Sequence, residues 1–281
     1  MGIKKRLEQK PEGPGRLDEV VVEEPNEKKK GIIFDVETEI GEEGWEKIKA
    51  FYDSKRDKGR LSILAERLKI IFPDKIDRLD LDGIWEKLKA LYGDNESLVI
   101  NISSATTIKI LFPERVSELD LESKWLAFKE DFKGSSINKV GLGIYIKQAS
   151  ELKILFPNHI DELDLESKWE DIKEGYEKLK QEKRWLLVSN QLARFKMLFP
   201  EKMEELNWQE NLGQMINNFR FDFGDNEGLK NANLAILMAR NLKIIAAKEI
   251  KITDQGMELV MPEKEEFEDK VPDRPERLKR E

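Results

Sequence analysis

Ile70-Ile71-Phe72-Pro73 decides the fold, because the pattern returns. Ile110-Leu111-Phe112-Pro113, Ile154-Leu155-Phe156-Pro157 and Met197-Leu198-Phe199-Pro200 follow at spacings of 40, 44 and 43 residues. A tryptophan keeps step at Trp45, Trp85, Trp125 and Trp169. Self-similarity at a period near 40 residues marks stacked helical repeats, in which each unit is too small to bury its own apolar face and leans on the next.

Upstream of each Phe-Pro the spacing predicts a helix. Its apolar face reads Ala65, Leu68, Ile71, then Ala105, Ile108, Leu111, then Ala149, Leu152, Leu155, then Leu192, Phe195, Leu198. That is a 3.6-residue period, and the recurring alanine lets a neighbouring helix approach closely. Proline lacks an amide proton and clashes with the preceding turn, so it ends this helix and opens a short turn. Ile76 and Leu79, and their counterparts down to Met203 and Leu206, follow at the third and sixth positions after proline. Asp80, Asp120 and Asp164 then stand where the next helix needs an N-cap. That helix opens at tryptophan, with Ile48, Phe51 and Tyr52 on the face of Trp45 and Leu88, Leu91 and Tyr92 on that of Trp85. The tryptophans and Leu-Phe pairs, at one phase in every unit, are expected to form the core between repeats rather than a ligand cage.

The array is expected over 45–248, in about five units with a degenerate last one. Leu212 stands where a tryptophan is due, and Ala246-Ala247 replaces Phe-Pro. Residues 249–262 alternate around Asp254-Gln255-Gly256 and predict a β-hairpin, placed as a lid over the last repeat. Residues 1–44 are expected to be a flexible segment with two β-prone motifs, Val20-Val21-Val22 and Ile32-Ile33-Phe34-Asp35-Val36, the second a candidate partner for the hairpin's edge. Residues 263–281 are expected to be a loose charged tail. The fold class is therefore all-α, a helical repeat solenoid with a small C-terminal hairpin and disordered ends.

The recurring Leu-Lys-Ile-Leu-Phe-Pro-Glu, with Glu-Leu-Asp-Leu and tryptophan behind it, resembles uncharacterised helical repeat proteins of candidate-phylum (Parcubacteria-like) bacteria. The ending from Leu242-Lys243-Ile244-Ile245-Ala246-Ala247 to Gly256 is similar to theirs as well. The resemblance covers about 45–262. It implies architecture and no activity.

The 281 residues carry 49 basic and 57 acidic groups. The acidic excess sits mostly on the ends, with 8 basic against 12 acidic residues in 1–44 and 6 against 8 in 263–281. A near-neutral array disfavours nucleic acid as a partner, since duplex binding needs a basic face. Without cysteine there is no disulfide, thiolate metal site or cysteine nucleophile. No apolar run approaches a membrane span, and no secretory signal stands at the start, so the expected location is cytoplasmic.

One stretch invites a catalytic reading. Phe34-Asp35-Val36-Glu37-Thr38 resembles the first motif of DEDD-type 3′–5′ exonucleases, a strand whose carboxylates hold two divalent metals. His159, the one histidine, precedes Asp164 by five residues, as in the same family's His-x-x-x-x-Asp. The repeat alignment argues otherwise. His159 falls in the slot of Lys75, Arg115 and Lys202, and Asp164 in that of Asp80 and Asp120. No Gly-rich phosphate loop, two-histidine metal site or catalytic triad is present. The expectation is a non-enzymatic scaffold that binds a protein or peptide without cofactor or metal; the alternative is a divalent-metal 3′–5′ exonuclease centred on Asp35 and Glu37.

Limited trypsin digestion is expected to remove residues 1–30 and 263–281 early and leave 45–262 whole. Early cutting at Lys69 or Lys153 would contradict packed helices there.

Overall fold

Each Phe-Pro step does what its chemistry requires. The helix before it stops one residue short of the phenylalanine, and the proline takes the first position of a 3₁₀ turn, where a missing amide proton is harmless. The computed structural model describes residues 34–94, 97–135, 137–224, 232–253 and 256–262; the expected loose ends and the Val20–Val22 motif lie outside the described residues. Five helix pairs follow one another: α1 (Val36–Asp53) with α2 (Lys58–Ile71), then α3 (Ile84–Asp94) with α4 (Leu98–Leu111). In the third, a single turn α6 (Ile137–Val140) lies between α5 (Trp125–Gly134) and α7 (Leu142–Leu155). Then come α8 (Trp169–Gln181) with α9 (Trp185–Leu198), and α10 (Gln209–Gly224) with α11 (Ala232–Ala246). A two-stranded antiparallel hairpin, β1 (Glu249–Thr253) and β2 (Gly256–Val260), ends the described chain. The fold is all-α apart from this hairpin.

The tryptophans and phenylalanines are core, as expected, and their ring pairs join the two helices of one unit. Trp45 meets Phe72 at 5.1 Å between ring centroids, Trp85 meets Phe112 at 5.8 Å, Trp125 meets Phe156 at 5.0 Å and Trp169 meets Phe199 at 5.1 Å. Edge-on and tilted pairs of this kind add to area burial. The residue two after each proline covers the tryptophan: Lys75 at 5.6 Å, Arg115 at 3.6 Å, His159 at 5.1 Å and Lys202 at 5.3 Å. Tyrosine ties the outer helix to the end of its own unit, Tyr52 donating to Asp80 O at 2.8 Å and Tyr92 to Asp120 O at 3.2 Å.

The second helices α2, α4, α7, α9 and α11 pack side by side in that order, and α11 then packs on α2. The array is a closed ring, not an open solenoid. Lysine does much of the joining. Lys109 donates to Leu155 O at 3.2 Å, Lys153 to Leu198 O at 3.2 Å, Lys196 to Ile245 O at 2.7 Å and Lys243 to Ile71 O at 2.6 Å. Each lysine stands four residues before the end of its motif and caps the next helix, whose last carbonyls lack partners within the helix. The last of these bonds returns to the first unit and closes the circle.

The structure corrects further expectations. Val36 opens a helix, not a strand, and Ile32 and Ile33 lie outside the described residues. The packed part starts before Trp45, since Phe34, Val36 and Ile40 are buried and Phe34 meets Phe219 at 5.9 Å. Gly41, at φ 64°, kinks α1 between this first turn and the tryptophan helix. The hairpin lies against α4 and α7, not over the last repeat, with a Cβ added at Gly256 falling 3.4 Å from Lys109 O; among the described residues its strands pair with each other alone. Asp80, Asp120 and Asp164 do not cap the tryptophan helices. Asp80 accepts from the Asp82 amide, Asp120 accepts from Ser123 Oγ, and Asp164 ends its 3₁₀ turn at φ 49°.

Burial depresses two of the ring lysines: Lys153 is lowered and Lys196 falls from 10.5 to about 8, although Glu204 opposes the shift. Below pH 8 both folded and unfolded chains hold the Lys196 proton. Between about 8 and 10.5 the unfolded chain holds more protons, so stability rises with pH. Buried tyrosines act in the other sense, Tyr92 being raised to about 12 and Tyr52 and Tyr176 further, so stability falls once unfolded tyrosines ionise near pH 10. The urea midpoint should climb from pH 8 to about 10 and then drop, and Lys196→Met should flatten the climb. An unchanged climb in that variant would mean its ammonium is not desolvated.

Candidate binding site

Ring closure gives each inner helix two faces about half a turn apart. One carries the Ala-Leu-Ile pattern and packs on the outer helices. The other faces the ring's axis, where the five helices enclose a cavity of ≈ 290 Å³. At one level stand Ile63, Ser103, Lys147, Asn190 and Leu237, one from each helix and each six residues before its motif lysine. A turn deeper the lining is mostly charged or hydroxylic: Glu66, Arg67, Thr107, Glu151, Arg194 and Arg240. Ile154 and Met197 are the apolar lining below.

Two polar networks brace the walls. Lys147 Nζ donates to Glu151 Oε2 at 3.0 Å and to Ser103 Oγ at 2.7 Å, while Ser103 Oγ donates to Glu151 Oε1 at 3.0 Å, tying α4 to α7. Thr107 Oγ1 donates to Glu66 Oε2 at 3.3 Å, and Arg240 Nη2 lies 3.5 Å from Glu66 Oε1, tying α2 to α4 and α11. Burial raises the Glu151 carboxyl, and the Lys147 charge offsets only part of that. Burial also lowers Arg67, and brings Arg194 down to about 10 with the like charge of Arg240 contributing.

The mouth has the opposite character. Ile63, Val99, Ile100, Ile144 and Leu234 are 38–51% exposed, and among the described residues Leu126 is the one other exposed large apolar side chain. Ile100, Ile144 and Leu234 stand three residues before Ser103, Lys147 and Leu237, so helical spacing puts them one turn above the polar lining on the same face. The sequence reading missed this pocket. Its lining differs from unit to unit, and only the packing of α11 on α2 turns five solvent-like faces inward.

The exonuclease residues are placed apart and engaged elsewhere. Asp35 is the N-cap of α1, accepting from the amides of Glu37 at 3.0 Å and Thr38 at 3.3 Å and from Thr38 Oγ1 at 2.5 Å. Glu37 pairs with Lys243, and the neighbouring Glu39 forms a two-pronged pair with Arg220 at 2.9 and 3.1 Å. His159 lies in the third unit against Trp125 and bonds Glu162 at 2.8 Å; Asp164 ends the same unit's 3₁₀ turn. Among the described residues no group of three or more His, Asp or Glu stands together as a metal site.

Fold and pocket together define a closed ring of five helical repeat units around a polar central cavity with an apolar mouth. No protein-family model matches the chain, and neither a curated protein nor a solved structure matches it.

Asp35→Ala is expected to destabilise the chain by about 0.5–2 kcal/mol through loss of the cap. The loss should be the same with and without manganese in a thermal melt. A manganese-dependent stabilisation of the wild type that vanished in the variant would restore the nuclease reading.

Proposed function

We propose that this is a non-enzymatic, cytoplasmic binding protein that receives a protein or peptide at the mouth of its ring. The observation that supports the reading is the gathering of Ile63, Val99, Ile100, Ile144 and Leu234 at one end of the inner helices. Scattered exposed apolar side chains need no explanation, but a contiguous patch with a polar surround marks an interaction surface. Two of the pocket's acids, Glu66 and Glu151, are already paired with Arg240 and Lys147, which suits support of the walls rather than proton transfer. On this reading the partner meets the rim, because packing of α11 on α2 closes the array. No helix among the described residues is long and apolar enough to cross a membrane. The near-neutral array leaves nucleic acid disfavoured.

Selection of displayed random peptides on the intact chain tests the reading. The wild type should enrich a peptide family that the Ile100→Asp, Ile144→Asp double variant no longer retains, while the variant's melting temperature changes little because both side chains are exposed. Equal enrichment by both proteins, or none by either, would overturn it.

A further inference from the structure

The pocket's charges do not cancel. Lys147 is balanced by Glu151 and Arg240 by Glu66. Arg67 and Arg194 remain, and their hydrogen bonds among the described residues go to backbone carbonyls, Asn233 O and Gly143 O, each at 3.3 Å. A carbonyl offers a dipole but no countercharge. Arg240 completes the set from the third side. It is 9% exposed, and its Nε has no hydrogen-bond partner among the described residues.

Arg67 on α2, Arg194 on α9 and Arg240 on α11 thus face one small cavity from three helices, with two positive charges in excess of the acids around them. Each is held close enough for the Arg240 charge to be felt by the other two. Guanidinium forks match tetrahedral oxyanions in two-pronged geometry. A carboxylate would leave one guanidinium unmatched, whereas a phosphomonoester carries close to two negative charges at neutral pH. The cavity, at ≈ 290 Å³, is at the small end for ligand sites and suits a phosphoryl group with a short attachment. Ile63, one turn above Arg67, and the rest of the apolar rim a further turn out suit the organic part of the ester.

We propose that the central pocket binds a phosphomonoester, its phosphoryl oxygens taken by Arg67, Arg194 and Arg240 and its organic part lodged against the apolar mouth. This goes beyond the peptide-binding reading, since the site stands whether or not a protein covers the rim.

The test uses the full chain in calorimetric titrations and thermal melts with inorganic phosphate, phenyl phosphate and a phosphoserine peptide, against sodium chloride at equal ionic strength. Phosphate should stabilise more than chloride, and an ester should bind more tightly than phosphate. If phenyl phosphate leads, the source is a free small molecule; if the phosphopeptide leads, it is a modified partner. Both outcomes support the site. Arg67→Gln and Arg194→Gln should each weaken ester binding roughly 10- to 100-fold, while Arg78→Gln, outside the pocket, should not. A melt of each variant in chloride shows whether it folds, and if Arg194→Gln does not, Arg67→Gln carries the comparison. Phosphate no better than chloride, or equal binding by all variants, would overturn the proposal. Ester binding alongside a failed peptide selection would leave this site standing and sink only the protein-binding reading.

Discussion

One interaction organises the molecule: a lysine ammonium held against the end of the neighbouring helix. A helix terminus leaves carbonyls without partners and a partial negative charge, and both are answered by a cation set at the right height on the adjacent helix. Lys109, Lys153, Lys196 and Lys243 repeat that contact around the ring. Direction follows from it, because units two to five each cap the next, and so does closure, because Lys243 reaches Ile71 of the first unit. Glu37 pairs with the same ammonium, which anchors α1 at the seam. The aromatic pairs have a different task. Trp45 with Phe72, and their three counterparts, tie together the two helices of each of the first four units, and the lysines join neighbouring units.

Much of this was legible in the sequence. Phe-Pro at a steady spacing located the helix ends, tryptophan the outer helices, and the alternation after Ala247 the hairpin. Even the seam left a trace, since the degenerate last unit keeps Leu242-Lys243-Ile244-Ile245 while losing Phe-Pro. The proline is dispensable where no further turn follows, but the lysine still has a helix to cap. What stayed hidden was long-range. Nothing local to α11 says that it packs on α2, so an open array was the natural expectation. The Asp35 motif misled for a related reason: Phe-Asp-x-Glu-Thr is as good an N-cap as it is a strand end, and the buried Phe34 and Val36 decided in favour of the helix. The pocket was the least legible part. Ser103, Lys147 and Asn190 occupy one register position with different chemistry, which in an open array is how a solvent face looks.

The pocket also explains why polar residues are tolerated between apolar helices. Desolvated charges are costly unless paired; Arg240 with Glu66 joins α11 to α2, and the Lys147–Glu151 pair within α7 is tied to α4 through Ser103. They hold the walls at fixed separation, so the cavity persists instead of collapsing. Arg67 and Arg194 are the residues that this bracing leaves over.

Closure changes what the chain can become. An open solenoid lengthens or shortens by whole modules, because each touches only its neighbours. Here the helix that begins the circle and the helix that ends it are adjacent in space and far apart in sequence, so the number of modules is itself part of the structure. Duplicating or deleting one would leave Lys243 opposite the wrong terminus and α2 without its neighbour. Such a protein diversifies by substituting residues around its axis, not by growing.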